Sequence, residues 1–267
     1  MAVVRVGVVC SVGVGAARGG RDRNEDNYLI CQDGSATWRT DDTEKSEPAA
    51  GEGVMLAVCD GMGGGSDGDV ASMTAVRVLA KLYRPGTPRD PARALRKYVI
   101  ESHRRLHERA LESGPVTMGT TLTGCWLLNG YAAWVQVGDS RLYRYSNDKF
   151  EQITSDHTRA EFAWRDNRSV VADPKALAQT FIYGSRGLGD DAAVRIEQER
   201  DADVFQLQPG DRVLLCSDGL HGTVDDASIA DVLRHVADPQ AAAVACVERA
   251  IARGSIDNIT VMIASIT

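Results

Sequence analysis

Hydrophobic residues recur along this chain with two periods, and the switches between them mark its elements. Val3 to Cys10 is valine-rich and strand-like, and Asn27 to Cys31 resumes β character after a polar cluster from Arg18 to Asp26. Val54 to Cys59 is unbroken apolar sequence, as expected for a strand buried on both faces, and Asp60 stands where that strand leaves the core. Asp69 can cap a helix with apolar positions Val70, Met73, Val76, Leu79 and Leu82. A second helix begins at Asp90-Pro91, presents Leu95, Val99, Leu106 and Ala110, and stops at Gly114-Pro115. Thr120 to Leu128 and Tyr131 to Val137 form a hairpin through Asn129-Gly130, the dipeptide that supplies two positive φ angles. Arg141 to Tyr145 and Phe150 to Ile153 extend the meander around Ser146-Asn147-Asp148. Asp211 to Cys216 is a second buried run; helices follow at Asp226 to Val236 and Pro239 to Arg253, the latter stopped by Gly254, and Ile259 to Ile266 is a last strand. Gly34 to Gly53 reads as an exposed connection without a catalytic role, and Asp156 to Asp191 as a surface excursion without a clear period. Strands, helices, strands, helices, strand, with antiparallel hairpins, is not the alternation of a doubly wound sheet.

Composition adds limits. The 267 residues, 43% hydrophobic and 25% charged, suit a single domain spanning 1–267, since no Pro/Ser-rich linker divides them. A net charge of -7 argues against a general nucleic-acid binder. No apolar run reaches the ~18 residues of a membrane span. The stretch Val6 to Val14 before Gly15-Ala16-Ala17 has some look of a signal peptide, but Arg5 is its only early positive charge, and a first strand is the preferred reading. The six cysteines lie far apart without a CxxC pair, as reduced core residues of a cytoplasmic protein would. His103 and His107 are four apart on one helix but lack a third ligand, so a solvated face is preferred; His157 and His221 are expected to bond loop backbone. Trp126 and Trp134 read as packing residues.

Chemistry enters with the acidic positions. Asp60 precedes Gly61, Gly63, Gly64 and Gly65, which lets backbone approach an ion or phosphate closely. Glu25-Asp26, Asp139, Asp218 and Asp257 lie in similar settings, and Asp60, Asp139 and Asp218 each stand at the end of a predicted strand. Without a cation, two converging carboxylates ~4 Å apart would repel by about 4 kcal/mol at an effective dielectric of ~20. With only oxygen ligands on offer, the ions that reverse this are hard: Mg²⁺ or Mn²⁺ before Zn²⁺. Two of them ~3.5–4 Å apart can support in-line attack on phosphorus, with Arg21 as a phosphate fork. For each aspartate the plain alternative is turn chemistry, for Arg21 a surface charge, and for Asp139 a structural corner tied by Asp and Arg.

The ordered set Arg21-Asp22-Arg23-Asn24-Glu25-Asp26, Asp60-Gly61-Met62-Gly63-Gly64, Met118-Gly119-Thr120-Thr121, Gly138-Asp139-Ser140-Arg141, Thr154-Ser155-Asp156-His157, Ser217-Asp218-Gly219 and Asp257-Asn258 resembles the motifs of the bacterial type 2C metal-dependent serine/threonine protein phosphatases. The resemblance implies an α+β fold, a sandwich of two antiparallel sheets flanked by helices on both sides. It implies that Asp60 bridges two metals, that Asp218 and Asp257 complete one site, and that the Gly61 carbonyl and Glu25, directly or through water, serve the other. Asp26 would orient water on the metal, Asp139 with Asp218 would form a weaker third site, and Arg21 would clamp the phosphate in two places. The segment from His157 to Leu188 would be a variable flap. Two departures stand out: Met62 occupies the place of a histidine proposed as general acid in some eukaryotic relatives, which leaves protonation of the leaving alkoxide to water, and Gly222 the place of a further acidic third-site ligand.

The expected activity is hydrolysis of phosphothreonine and phosphoserine in proteins by a cytoplasmic monomer that opposes a serine/threonine kinase, with no nucleic-acid or membrane partner. A catalytically silent pseudophosphatase and a metallohydrolase of small phosphorylated molecules are the alternatives.

Overall fold

The computed structural model describes residues 3–40, 43–48, 52–62, 67–84, 88–112, 119–157 and 202–267. The strands are β1 (Val4–Ser11), β2 (Asn27–Gln32), β3 (Ser35–Thr40), β4 (Thr43–Pro48), β5 (Val54–Cys59), β6 (Gly61–Met62), β7 (Gly119–Thr120), β8 (Leu122–Leu128), β9 (Tyr131–Val137), β10 (Arg141–Ser146), β11 (Lys149–Gln152), β12 (Ala202–Gln206), β13 (Arg212–Cys216) and β14 (Ile259–Ile266). The helices are α1 (Asp67–Leu82), α2 (Pro91–Glu112), α3 (Asp218–His221), α4 (Asp226–His235) and α5 (Pro239–Ala252). One sheet runs β1-β14-β13-β10-β11, the other β12-β9-β8-β5-β2-β3-β4, and β6 and β7 form a small ribbon. All pairings are antiparallel, so the α+β sandwich implied by the motifs is the fold observed.

The packing explains why the central strands read as continuous apolar runs. Val54, Leu56 and Val58 of β5 enter the cluster between the sheets, together with Val213 and Leu215 of β13 and Met262 and Ala264 of β14. Met55, Ala57 and Cys59 point the other way, into a cluster with Ala75 and Leu79 of α1 and Leu95 and Val99 of α2. Leu214, Cys216, Val261 and Ile263 likewise face α4 and α5, among Ile229, Val232 and Val247. Both faces of each sheet are covered at their centres, so the period of two is masked by burial on both sides. Asp225 and Asp238 cap α4 and α5, accepting from Ser228 N at 2.8 Å and Ala241 N at 2.9 Å.

Five elements differ from the reading of the sequence. β3 and β4, within the stretch expected to be an exposed connection, pair antiparallel at the edge of the larger sheet. Ala36 and Trp38 of β3 turn into the core beneath α1, whereas the described side chains of β4 are exposed and include Lys45 and Glu47, charges typical of a protected edge. The polar composition concealed an alternation with only two buried members. Strand β12 pairs with β9 as the other edge, and α3 is a single turn on the heels of β13; neither had a periodic signal long enough to register. Helix α1 starts at Asp67, which places Asp69 inside the first turn and not at its cap. The expected flap, His157 to Leu188, lies beyond His157 outside the described part of the chain, as do Gly63, Gly64, Gly65 and Met118.

All six cysteines are free, and all but Cys10 are buried. No helix among the described residues is long and apolar enough to cross a membrane. Trp38 is 2% exposed, so Trp38→Ala is expected to cost about 3–5 kcal/mol of stability in urea unfolding. A residue on an exposed connection would change it by less than about 0.5 kcal/mol, which is the result that would remove β3 from the core.

Candidate active site

Five acidic segments meet at one end of the sandwich. Asp60 follows β5, Asp139 lies between β9 and β10, Asp218 opens α3 after β13, and Glu25-Asp26 and Asp257 immediately precede β2 and β14. The antiparallel registers require this: Cys59 pairs with Asn27, Cys216 with both Arg141 and Val261, so these strand ends lie side by side. Hydrogen bonds across the sheets close the end, with Thr123 Oγ1 of one donating to the Ser140 carbonyl beside the other at 2.7 Å.

Main-chain contacts fix each acid. The Asp60 amide donates to Thr121 Oγ1 at 2.9 Å, and its carbonyl accepts from Thr121 N at 2.8 Å and Thr120 Oγ1 at 2.9 Å. Thr121 Oγ1 in turn meets Ser140 Oγ at 2.7 Å, which ties Asp60 to the Asp139 loop. Asn258 holds the Glu25 loop from the far end of the sequence: its Oδ1 accepts from Glu25 N at 2.8 Å and its Nδ2 donates to the Arg23 carbonyl at 2.9 Å. Arg39 Nη2 donates to the carbonyls of Asn24 and Asp26 at 2.5 and 2.9 Å from the other side.

Glycines make the close approach possible. A Cβ at Gly61 would stand 2.0 Å from the Gly68 carbonyl and 2.5 Å from that of Glu25; one at Gly68 would stand 2.7 Å from Cδ of Glu25. Ser72 Oγ of α1 donates to the Glu25 carbonyl at 2.6 Å, so the start of α1 is packed onto this loop. Gly219 meets the Asn258 carbonyl in the same way, at 2.0 Å from its would-be Cβ.

The carboxylates sit in a poorly hydrated, like-charged space. Asp26 is fully buried; its Oδ2 accepts from Ser217 Oγ and Thr260 Oγ1, each at 2.7 Å, while its Oδ1 has no partner. Oδ1 of Asp218 and Oδ1 of Asp69 are likewise buried without a partner. Burial first, and then the neighbouring charges, raise the pKa of Asp26 to about 7 and that of Asp60 well above its ordinary value. Asp139 is pushed up to about 7 by burial and by Asp218, and Asp218 is raised by burial and Asp257 while its carboxyl touches that of Asp60. Glu25 is raised for the same reason, burial.

These residues fit divalent ions on two counts: an all-oxygen donor set and buried carboxylate oxygens without partners. As the side chains stand, no three or more such acidic, His or Cys ligands among the described residues are gathered closely enough to hold an ion. One reason is visible. Arg21 forks onto Asp257, Nε to Oδ1 at 2.8 Å and Nη2 to Oδ2 at 3.1 Å, so the expected phosphate clamp and one expected ligand face each other.

Around Asp139 the arrangement is more particular. Arg141 turns away to Asp156, at 2.9 and 2.7 Å, and does not tie a corner with Asp139. His221 Nε2 lies 3.0 Å from the Asp139 carbonyl, to which the ring can only donate; burial holds its pKa down to about 4. His157 Nδ1 accepts from Gly138 N at 3.3 Å, so both histidines serve loop backbone as expected. A Cβ at Gly222 would meet the Asp218 carbonyl at 2.8 Å, leaving no room there for an acidic side chain without a shift. The sequence reading missed the hydroxyl partners Ser217, Thr260 and Ser140. For Ser217 and Ser140 the one signal was a hydroxyl residue directly beside an aspartate; Thr260, between Ile259 and Val261, had none.

Comparison with known proteins agrees with this geometry. Residues 22–251 match the Protein phosphatase 2C family, and the chain belongs to it. It is similar to the serine/threonine phosphatase Stp of Listeria innocua, at 30% identity over 214 residues that span 78% of this chain and 83% of that protein. It is equally similar to the serine/threonine protein phosphatase PstP of Mycobacterium tuberculosis, 30% identical over 213 residues, 79% of this chain and 40% of PstP. A crystal structure of that phosphatase superposes with a TM-score of 0.77 at 25% identity over 99% of both chains. One of the PstP catalytic domain in complex with two manganese ions gives 0.76 at 25% identity over 100% of both.

The raised pKa values give stability a definite pH dependence. A carboxyl that titrates near 3.8 unfolded and near 7 folded, as for Asp26 and Asp139, holds its proton more firmly in the native state. The metal-free protein is therefore expected to lose stability as pH rises from about 4 to about 7 and to level off above it. Thermal unfolding in EDTA checks this, and added Mn²⁺ should raise Tm more at pH 7.5 than at pH 5. Stability rising through that window would contradict the clustering of these acids.

Proposed function

We propose that this protein is a metal-dependent serine/threonine protein phosphatase that removes phosphate from phosphothreonine and phosphoserine in proteins. The observation that carries the reading is the convergence of Asp60, Asp218, Asp257 and Glu25 at one sandwich end, with Oδ1 of Asp218 and of Asp26 buried and unpartnered. Asp60, Asp218 and Asp257 would hold one Mn²⁺ or Mg²⁺, and Asp60 with the Gly61 carbonyl and Glu25, directly or through water, a second. Such ions, when bound, supply a nucleophilic water and charge stabilisation at phosphorus. Asp139 with Asp218 would serve a weaker third ion.

The chain's own residues do the rest. Asp26, gripped through Oδ2 by Ser217 and Thr260 and close enough to Asp218 and Asp257 to act on their charges, would orient the water that the ions hold. Arg21 is half exposed and can swing from Asp257 to a phosphate, offering two parallel N–H donors that a lysine lacks. Releasing Asp257 to a cation and freeing Arg21 for the substrate are then one event. Cysteine chemistry has no part, since burial pushes the thiol of Cys10 up to about 11 and raises Cys59 beside Asp60 further. Retention of every buried acid speaks against a pseudophosphatase, in which such groups would be a liability without ions. A cytoplasmic monomer that opposes a serine/threonine kinase is the setting we infer.

Phosphate release from a phosphothreonine peptide is expected with Mn²⁺ or Mg²⁺ and to vanish in EDTA. Asp26→Asn should lower activity by about 10–100-fold with the ions still bound by calorimetry, and Asp218→Asn should lower it further and weaken ion binding. Full activity of Asp218→Asn, or a folded, ion-loaded protein without activity, would overturn the reading. Arg21→Ala should raise KM while Mn²⁺ binds at least as tightly as before; a loss of Mn²⁺ affinity would remove the link between Arg21 and Asp257.

A further inference from the structure

On a chain of net charge -7, the outer face of the α1–α2 pair carries the opposite sign. A groove of about 780 Å³ runs between these helices, and five of its lining side chains are Arg77, Lys81, Arg84, Arg105 and Arg109. Among the described residues only two carboxylates line it, Glu101 and Glu108, and both are engaged by arginines of their own helix: Glu101 by Arg104 at 2.7 Å and Arg105 at 2.9 Å, Glu108 by Arg104. Arg77, Lys81 and Arg84 are exposed and make no ion pair among the described residues. Glu47 on β4 also faces Arg77 and Lys81, but it is paired with Lys45 at 2.7 Å. Arg77 and Lys81 are four apart, stacked on one helix face where like charges repel. This arrangement disfavours the bare helix pair, and an anion relieves it.

The groove is connected to the active site through α1. Ser72 touches the Glu25 carbonyl, and Arg77 and Lys81 follow at about 7.5 and 14 Å along the helix at ~1.5 Å per residue. An extended polypeptide advances ~3.3 Å per residue, so a substrate held at the carboxylates reaches these cations within about ten residues. A row of guanidinium and ammonium groups in an open groove suits several successive carboxylates on such a chain better than one compact anion.

We propose that the α1–α2 groove docks an acidic stretch of the phosphoprotein substrate, remote from the phosphorylated residue; this rests on the phosphatase reading above. The test uses phosphothreonine peptides carrying six Glu, or six Gln, about ten residues to either side of the phosphate. With Mn²⁺, a Glu peptide is expected to show kcat/KM at least fivefold above its Gln counterpart at low salt. In Arg77→Glu/Lys81→Glu that ratio should fall to about one, with hydrolysis of p-nitrophenyl phosphate unchanged. A ratio of one in the wild type for both placements, or a preference that survives the double variant, would overturn the proposal. If neither the Gln peptides nor p-nitrophenyl phosphate is hydrolysed, the phosphatase reading has failed instead. Fluorescence anisotropy of a labelled Glu peptide then decides docking by itself: binding that the double variant loses supports it, and no binding, or capture only of RNA or anionic vesicles, overturns it.

Discussion

The working end of this protein depends on keeping several negative charges together where water is scarce. Two carboxylates at ~4 Å repel by about 4 kcal/mol at an effective dielectric of ~20, and Asp60 feels the charges of Asp26, Asp218, Asp139 and Asp257 together. Arg21, forked onto Asp257, offsets only part of that repulsion. It is held by a rigid frame: hydroxyls of Ser217, Thr260 and Thr121, the amide of Asn258, and glycines at Gly61, Gly68 and Gly219 that bring backbone within contact where any side chain would intrude. The frame stores the demand for a cation, and the family to which the chain belongs supplies the chemical use of that demand.

The sandwich makes this possible because its central strands are anchored on both sides. β5 buries alternate residues between the sheets and beneath α1 and α2, and β13 and β14 do the same beneath α4 and α5. A strand clamped on both faces cannot slip by one residue without reversing its whole pattern, so the residues at its end are placed with the accuracy of the core. Asp60 and Asp218 inherit that placement.

Asp60, Asp139 and Asp218 were legible in the sequence because each follows a strand-like run and adjoins glycine or serine, a contrast that survives without any structure. The central strands and long helices were legible for a related reason: burial of β5 and β14, or of one face of α1 and α2, imposes long, uniform patterns. What escaped was short or edge-placed. β3 shows its inward face only through Ala36 and Trp38, β4 lies at the edge with its described side chains exposed, and β12 is defined by pairing with β9 and not by its own composition. The hydroxyl partners of Asp26 escaped because serine and threonine in a strand look alike whether they grip a carboxylate or merely fit the pleat. The pairing of Arg21 with Asp257 joins residues 236 positions apart and leaves no local trace.

Asn258 bridges the Glu25 loop from across nearly the whole chain, and β1 pairs with β14 from Val4 against Ile266 to Ser11 against Ile259. The acidic end is thus a closure between segments 233 positions apart in the sequence. During translation, a chain whose residues 257–266 are still inside the ribosome has Glu25, Asp60 and Asp139 but neither the tether that sets the first nor the aspartate that faces Arg21. Contacts of such long range form late and slowly. An order of assembly is built into the topology: the acids of the N-terminal half meet Asp257 and Asn258 only once β14 has been made.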